Sequence, residues 1–141
     1  EGGVDTSFDS TTGGQLTAEY RRQTFESMYD ILPEMTGFGP VGNGRGQYWD
    51  LVYDGEFAGL VEVTFEYDES LLPTGFDEAL LGISHYDDGQ WEMLDVLSSD
   101  LCANRLTVLT DSFSPMVLVP EPATFFLLAC GGFVVLLQRR K

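Results

Sequence analysis

Val61, Val63, Phe65 and Tyr67 alternate with Glu62, Thr64, Glu66 and Asp68. A period of two places one set on each face of an extended chain, so this stretch predicts a β-strand with one buried and one wet face. Short runs of strand formers at 16–20, 48–53, 80–86, 91–96, 104–110 and 113–119 supply neighbours for it. Asp88-Gly89 lies between the third and fourth of these runs and predicts a hairpin, because glycine supplies the positive φ a tight turn needs. Asp54-Gly55 predicts a second hairpin, between 48–53 and 57–67. Phe25, Met28, Tyr29 and Leu32 fall at helical spacing and predict a short helix before Pro33.

Residues 1–14 are rich in Gly, Ser and Thr and read as a flexible lead-in, and 35–46 read as a Gly/Pro loop. No repeat recurs. The expected fold is all-β: one acidic antiparallel β-sandwich, Ig-like or jelly-roll-like, over 15–119, with one transmembrane helix after it. The stretch 61–118 also resembles a β-sandwich half common in bacterial surface proteins. The resemblance rests on Glu66-Tyr-Asp68, a Glu78-Ala-Leu-Leu strand, the Asp87-Asp-Gly-Gln-Trp91 hairpin and Ser112-Phe-Ser-Pro115. It implies a fold and an extracellular setting, not an activity.

The last part of the chain obeys different physics. Residues 123–137 are fifteen positions without a charge, followed by Gln138 and the cations Arg139, Arg140 and Lys141. A spanning helix needs about 20 residues to cross roughly 30 Å of hydrocarbon, whereas this run extends about 22 Å at helical rise. Local thinning of the bilayer and snorkelling of Arg139, Arg140 and Lys141 close the gap. Phe125, Leu128, Phe133 and Leu137 favour insertion in a helix that opens at Ala123 and is expected over 123–138. Gly131-Gly132 weakens that helix or lets another approach closely. A buried core helix is the alternative, but a terminal Arg-Arg-Lys after such a run has no packing rationale. The positive-inside rule puts the basic stop at 139–141 in the cytoplasm, so everything before Pro120 is expected outside it. That topology calls for an export signal in the precursor, ahead of Glu1.

Val119-Pro120-Glu121-Pro122, a short apolar helix and a terminal basic cluster, in that order, resemble the PEP-CTERM sorting signal. The resemblance covers 119–141. It implies recognition by an exosortase, a multi-pass, transpeptidase-like membrane enzyme, with Pro120, Glu121 and Pro122 as the recognition element. It also implies that the helix and cations hold the chain in the membrane until it is processed. Proteins with this tail are typically exported by Gram-negative bacteria that make extracellular polysaccharide.

The chain has 23 acidic and 7 basic residues. Glu121 and the three terminal cations belong to the tail, which leaves 22 acids against Arg21, Arg22, Arg45 and Arg105, a net charge near −18. Such a field disfavours nucleic acid and anionic membrane surfaces as partners of the exported part. It leaves cations and neutral polymers, with solubility outside the cell as the plainer reading. Cys102 and Cys130 cannot pair across the domain and the apolar run, so the domain is expected to fold without a disulfide.

His85 is the only histidine, and no Gly-x-Ser-x-Gly, His-Glu-x-x-His or Cys/His spacing accompanies it, so no catalytic residue is assigned. Asp87, Asp88 and Asp95 are the candidate oxygen ligands for calcium, but they lack EF-hand spacing, and ordinary solvated turns are the plainer account of them. Trp49, Tyr53, Phe57, Tyr86 and Trp91 are either a sugar-stacking platform or core. The expected function is that of a non-enzymatic, membrane-tethered or exosortase-sorted envelope protein with a structural or adhesive role. Its partners would be the membrane, an exosortase-type enzyme and extracellular polysaccharide. The alternative is a carbohydrate- or calcium-binding extracellular module.

Overall fold

A computed structural model describes residues 2–31, 41–42 and 44–120 of the chain. It contains β1 (Val4–Thr11), β2 (Leu16–Thr24), α1 (Phe25–Ile31), β3 (Arg45–Tyr53), β4 (Phe57–Glu66), β5 (Leu81–Asp87), β6 (Gln90–Met93), β7 (Asp95–Asp100), β8 (Arg105–Thr110) and β9 (Pro115–Pro120). Two sheets form, one in the order β1-β4-β8-β7 and the other β2-β3-β9-β5-β6. Every adjacent pair in both sheets is antiparallel. The sheets face each other across one apolar core, with Trp49, Leu51, Ile83, Met116 and Leu118 from the larger sheet and Val61, Val63, Phe65, Leu106 and Val108 from the smaller.

β4 behaves as its alternation requires. Val61, Val63, Phe65 and Tyr67 are buried, while Glu62 is exposed and Thr64 and Glu66 are half-buried. Only Asp68 breaks the pattern, because the strand ends at Glu66 and the chain turns inward there.

The larger sheet is covered on both faces. Its inner side chains fill the shared core, and α1 lies on the outer face. There Met28 is buried against Tyr48, Val117 and Val119, flanked by Phe25, Trp91 and Met93. Thr24 starts this helix: its Oγ1 accepts the Ser27 backbone N–H at 3.3 Å, satisfying one of the donors a first turn leaves free. β9 sits in the middle of this sheet, so Met116, Val117, Leu118 and Val119 are all 0% exposed. The continuous apolar run Met-Val-Leu-Val is what a strand buried on both faces needs.

Several sequence expectations are corrected. The lead-in at 1–14 contains β1, which pairs with β4 from Val4↔Phe65 to Thr11↔Phe57. Val4, Thr6 and Phe8 turn inward while Asp5 and Ser7 face water, a period of two that the Gly/Ser/Thr composition hides. Asp54-Gly55 does not close a hairpin. β3 has β2 and β9 on its two edges, so the chain crosses at this turn to β4 in the other sheet. The run 91–96 is two strands, broken at Leu94, whose N–H donates to Ile83 O at 2.9 Å as the chain changes sheets. The strand expected to open at Glu78 begins at Leu81, because Glu78–Leu80 is a 3-10 turn capped by Asp77. The Asp88-Gly89 hairpin forms, with φ of 45° and 89° at the two turn residues.

The transmembrane helix expected over 123–138 lies outside the described residues. Among the described residues, no helix is long and apolar enough to cross a membrane.

Candidate sorting site at the end of the central strand

Two prolines bracket β9. Proline has no N–H to give a ladder, so it suits the first or last position of a strand, and here Pro115 opens and Pro120 closes. Between them, β9 pairs with β3 through Asp50↔Pro115, Trp49↔Met116 and Tyr48↔Val117. On its other edge it pairs with β5 along its whole tail-side half, through Ile83↔Leu118, Gly82↔Val119 and Leu81↔Pro120. Where the β3 pairing stops, the Val41 N–H takes over and donates to Leu118 O at 3.1 Å. Val119, first residue of the expected sorting motif, is therefore a core residue, and Pro120, first residue of the expected recognition element, is a half-buried ladder position. Glu121, Pro122, the apolar residues Ala123, Phe125, Leu128, Gly131, Phe133 and Leu137, and the basic stop Arg139, Arg140 and Lys141 lie outside the described residues.

The tail leaves from one identifiable end of the fold. β3 starts there at Arg45, β2 ends there, and the connection after β4 is tied across it. Gln47 makes that tie: its Oε1 accepts the Asp68 N–H at 2.7 Å and the Tyr20 hydroxyl at 2.8 Å, and its Nε2 donates to Asp68 O at 3.0 Å. Gln47 is fully buried, so these three bonds satisfy polar atoms that would otherwise be costly. Asp68 in turn accepts from the Ser70 hydroxyl at 2.6 Å and from Arg22 Nη1 at 2.8 Å. The Ser70 hydroxyl lowers the Asp68 carboxyl below its usual range, burial opposes this, and Arg22 adds to it. Nearby, burial and a hydrogen bond to Glu78 push the Tyr67 phenol up.

All four arginines of the described residues lie in the half of the fold toward this exit. Arg21 stands opposite Tyr48 and Arg22 opposite Gln47, Arg45 opens β3, and Arg105 faces Glu66 at the end of β4. Arg21 forms a bidentate pair with Glu19, both contacts at 2.8 Å, which lowers the Glu19 carboxyl and raises the Arg21 guanidinium. Arg105 Nη2 is 3.6 Å from Glu66 Oε2. An open groove of about 260 Å³ beside this pair is lined by Gly3, Val4, Asp5 and Thr64 as well. The turns at the opposite end carry Asp54, Glu56, Asp87, Asp88 and Asp111 and no cation.

The remaining sequence candidates are dispersed. His85 is 4% exposed at the end of the inner face, with Nδ1 3.5 Å from Ser112 Oγ, and has no carboxylate partner among the described residues. Asp87 and Asp88 sit in the β5–β6 hairpin, whereas Asp95 opens β7 on the other sheet. Among the described residues no group of three or more His, Cys, Asp or Glu side chains is placed to hold a metal.

The five aromatics divide three ways. Trp49 is core, 4.8 Å from Phe65 between ring centroids. Tyr53 and Phe57 join Phe8 and Phe113 in a mutually touching group that closes the far end. Tyr86 and Trp91 pair across the β5–β6 hairpin at 5.5 Å. They form no single platform. Sequence reasoning missed the ladder partners Leu81, Gly82 and Ile83 and the Val41 donor, which hold the sorting strand.

No curated protein and no solved structure matches the chain. The family model of the PEP-CTERM protein-sorting motif does match, over residues 118–141. That match starts at Leu118, inside β9, and runs on through Pro120 into the tail. The chain carries a PEP-CTERM protein-sorting motif whose first three residues are the last three of its central strand.

Proposed function

We propose that this chain is an exported, non-enzymatic envelope protein whose acidic domain is held at the membrane by its tail and handed to an exosortase-type enzyme. The observation that carries this reading is the sorting motif, whose match begins at Leu118 inside β9. The apolar run at 123–137 spans the bilayer once, Arg139, Arg140 and Lys141 stay in the cytoplasm, and the two-sheet domain lies outside. The domain is an Ig-like or jelly-roll-like sandwich. Its role is structural or adhesive, within an extracellular polysaccharide matrix, and it needs no cofactor.

The test is truncation after Pro120 followed by cell fractionation. Loss of the domain from the membrane fraction is the expected result. Unchanged retention would contradict the sorting role of the tail.

A further inference from the structure

We propose that β2 is the surface through which two copies of this chain pair, antiparallel and centred on Tyr20, so that their five-stranded sheets join into one. The pairing is independent of how the chain is sorted.

An edge strand offers unpaired N–H and C=O groups to any other strand, and folds blunt such edges with bulges, brevity, proline or charge. The two sheets have four edges: β1 and β7 on the smaller, β2 and β6 on the larger. Three of them are blunted. β1 slips register between Phe8 and Ser10, and β7 slips between Val96 and Ser98. β6 has only four residues. β2 instead runs nine residues in unbroken register against β3, from Leu16↔Tyr53 to Thr24↔Arg45, with no proline. Among the described residues, no backbone hydrogen bond reaches its outer edge.

Charge selects a second copy as the occupant. With a net charge near −18, two such domains repel each other over most approaches. β1 would bring Asp5 to the contact, β7 Asp95 and Asp100, and β6 Glu92, and none of these strands holds a cation. β2 sets Arg21 and Arg22 against Glu19, so it is the one edge strand among the described residues with a net positive charge.

The order of those charges is complementary to itself. Tyr20 is the midpoint of Leu16–Thr24, so a two-fold axis through it pairs the whole strand and faces Glu19 of each copy with Arg21 of the other. Residues directly opposite in an antiparallel pair share a face, with Cβ atoms about 4.5–5.5 Å apart. Arg21 lies over the Tyr48 ring, 5.9 Å from its centroid, and Glu19, two residues away, is on the same face. Each Glu19–Arg21 pair, held at 2.8 Å within one chain, thereby meets its twin in reversed order. On that face Thr17 stands opposite Gln23 of the other copy, a polar pair that repels nothing.

Two measurements on the purified full chain in detergent test this. The first is oxidation of a Thr17→Cys/Gln23→Cys variant, read by peptide mapping. The two positions are about 20 Å apart along one strand, beyond the reach of a disulfide, so they link only between copies. A bond from position 17 of one chain to position 23 of the other is expected. No linked dimer, or one linked only through Cys102 or Cys130, overturns the proposal. The second is sedimentation of the unmodified chain, of Glu19→Arg and of Glu19→Arg/Arg21→Glu. The unmodified chain should dimerise, Glu19→Arg should associate about tenfold more weakly because two opposite-charge pairs become like-charge pairs, and the double variant should recover. An unmodified chain that stays single, an unweakened Glu19→Arg chain or a double variant that fails to recover overturns the proposal.

Discussion

The backbone N–H of Val41 donates to the carbonyl of Leu118 at 3.1 Å. That single bond occupies the edge of β9 which β3 leaves open. With β5 on the other edge, it ties Leu118 into the sheet from both sides. Folding and sorting thus share residues, and the consequences for stability are direct.

Leu118→Ala should cost the domain about 2–5 kcal/mol, the usual range for a buried leucine. That is a large part of the roughly 5–15 kcal/mol that holds an ordinary domain together. Removing 121–141 should leave the urea midpoint nearly unchanged, because β9 ends at Pro120. Urea titrations of both variants check the contrast.

Met28 should matter as much as a residue between the sheets, although it comes from a helix of only seven residues. Met28→Ala should destabilise by about 2–5 kcal/mol and uncover Tyr48, Val117 and Val119. Thr24→Ala, which removes the helix cap, should cost about 1 kcal/mol. Equal and negligible effects from both would show that α1 does not seal the outer face.

The alternation at 61–67 made β4 legible, and the Asp88-Gly89 turn made β5–β6 legible, since each signal is local. What failed was everything that depends on competition. The Asp54-Gly55 turn was visible, but a turn does not say whether its flanking strands pair. Here β9, far away in sequence, takes the edge of β3 that β4 would need. β1 was hidden because Val4 and Phe8 are thinly spread among Gly, Ser and Thr. The tail was legible because uncharged runs and terminal cations report on solvent rather than on packing. Its junction was legible in outline, since the run 113–119 predicts a strand reaching the tail; that this strand is central and buried on both faces was not, because its neighbours β3 and β5 come from far away in sequence.

Acid should weaken the domain through Asp68. Its folded carboxyl titrates below the ordinary value near 3.9, so its contribution is present above that value and lost as pH falls through the folded one. Asp68→Asn should flatten this part of the pH–stability curve and cost about 1–3 kcal/mol at neutral pH, as expected for a buried group left with poorer partners. Thermal melts from pH 7 down to about 3 compare the two chains. An unchanged slope in the variant would remove Asp68 from the account.

Salt should help where calcium specifically does not. The exported part has a net charge near −18, and its far end carries acids without a cation, so self-repulsion is large. Raising sodium chloride from about 0.01 M to about 0.15 M should raise Tm by screening it. At matched ionic strength, calcium should add nothing and EDTA should remove nothing. A calcium-specific rise would instead point to carboxylates gathered around an ion.

The most direct test of the sorting account is a pulse–chase of the full chain in paired cells with and without an exosortase-type enzyme. The account predicts a membrane-held form that converts to a shorter, released form only when the enzyme is present. Identical fates in the two cells, with the full-length chain persisting in the membrane of both, would contradict it.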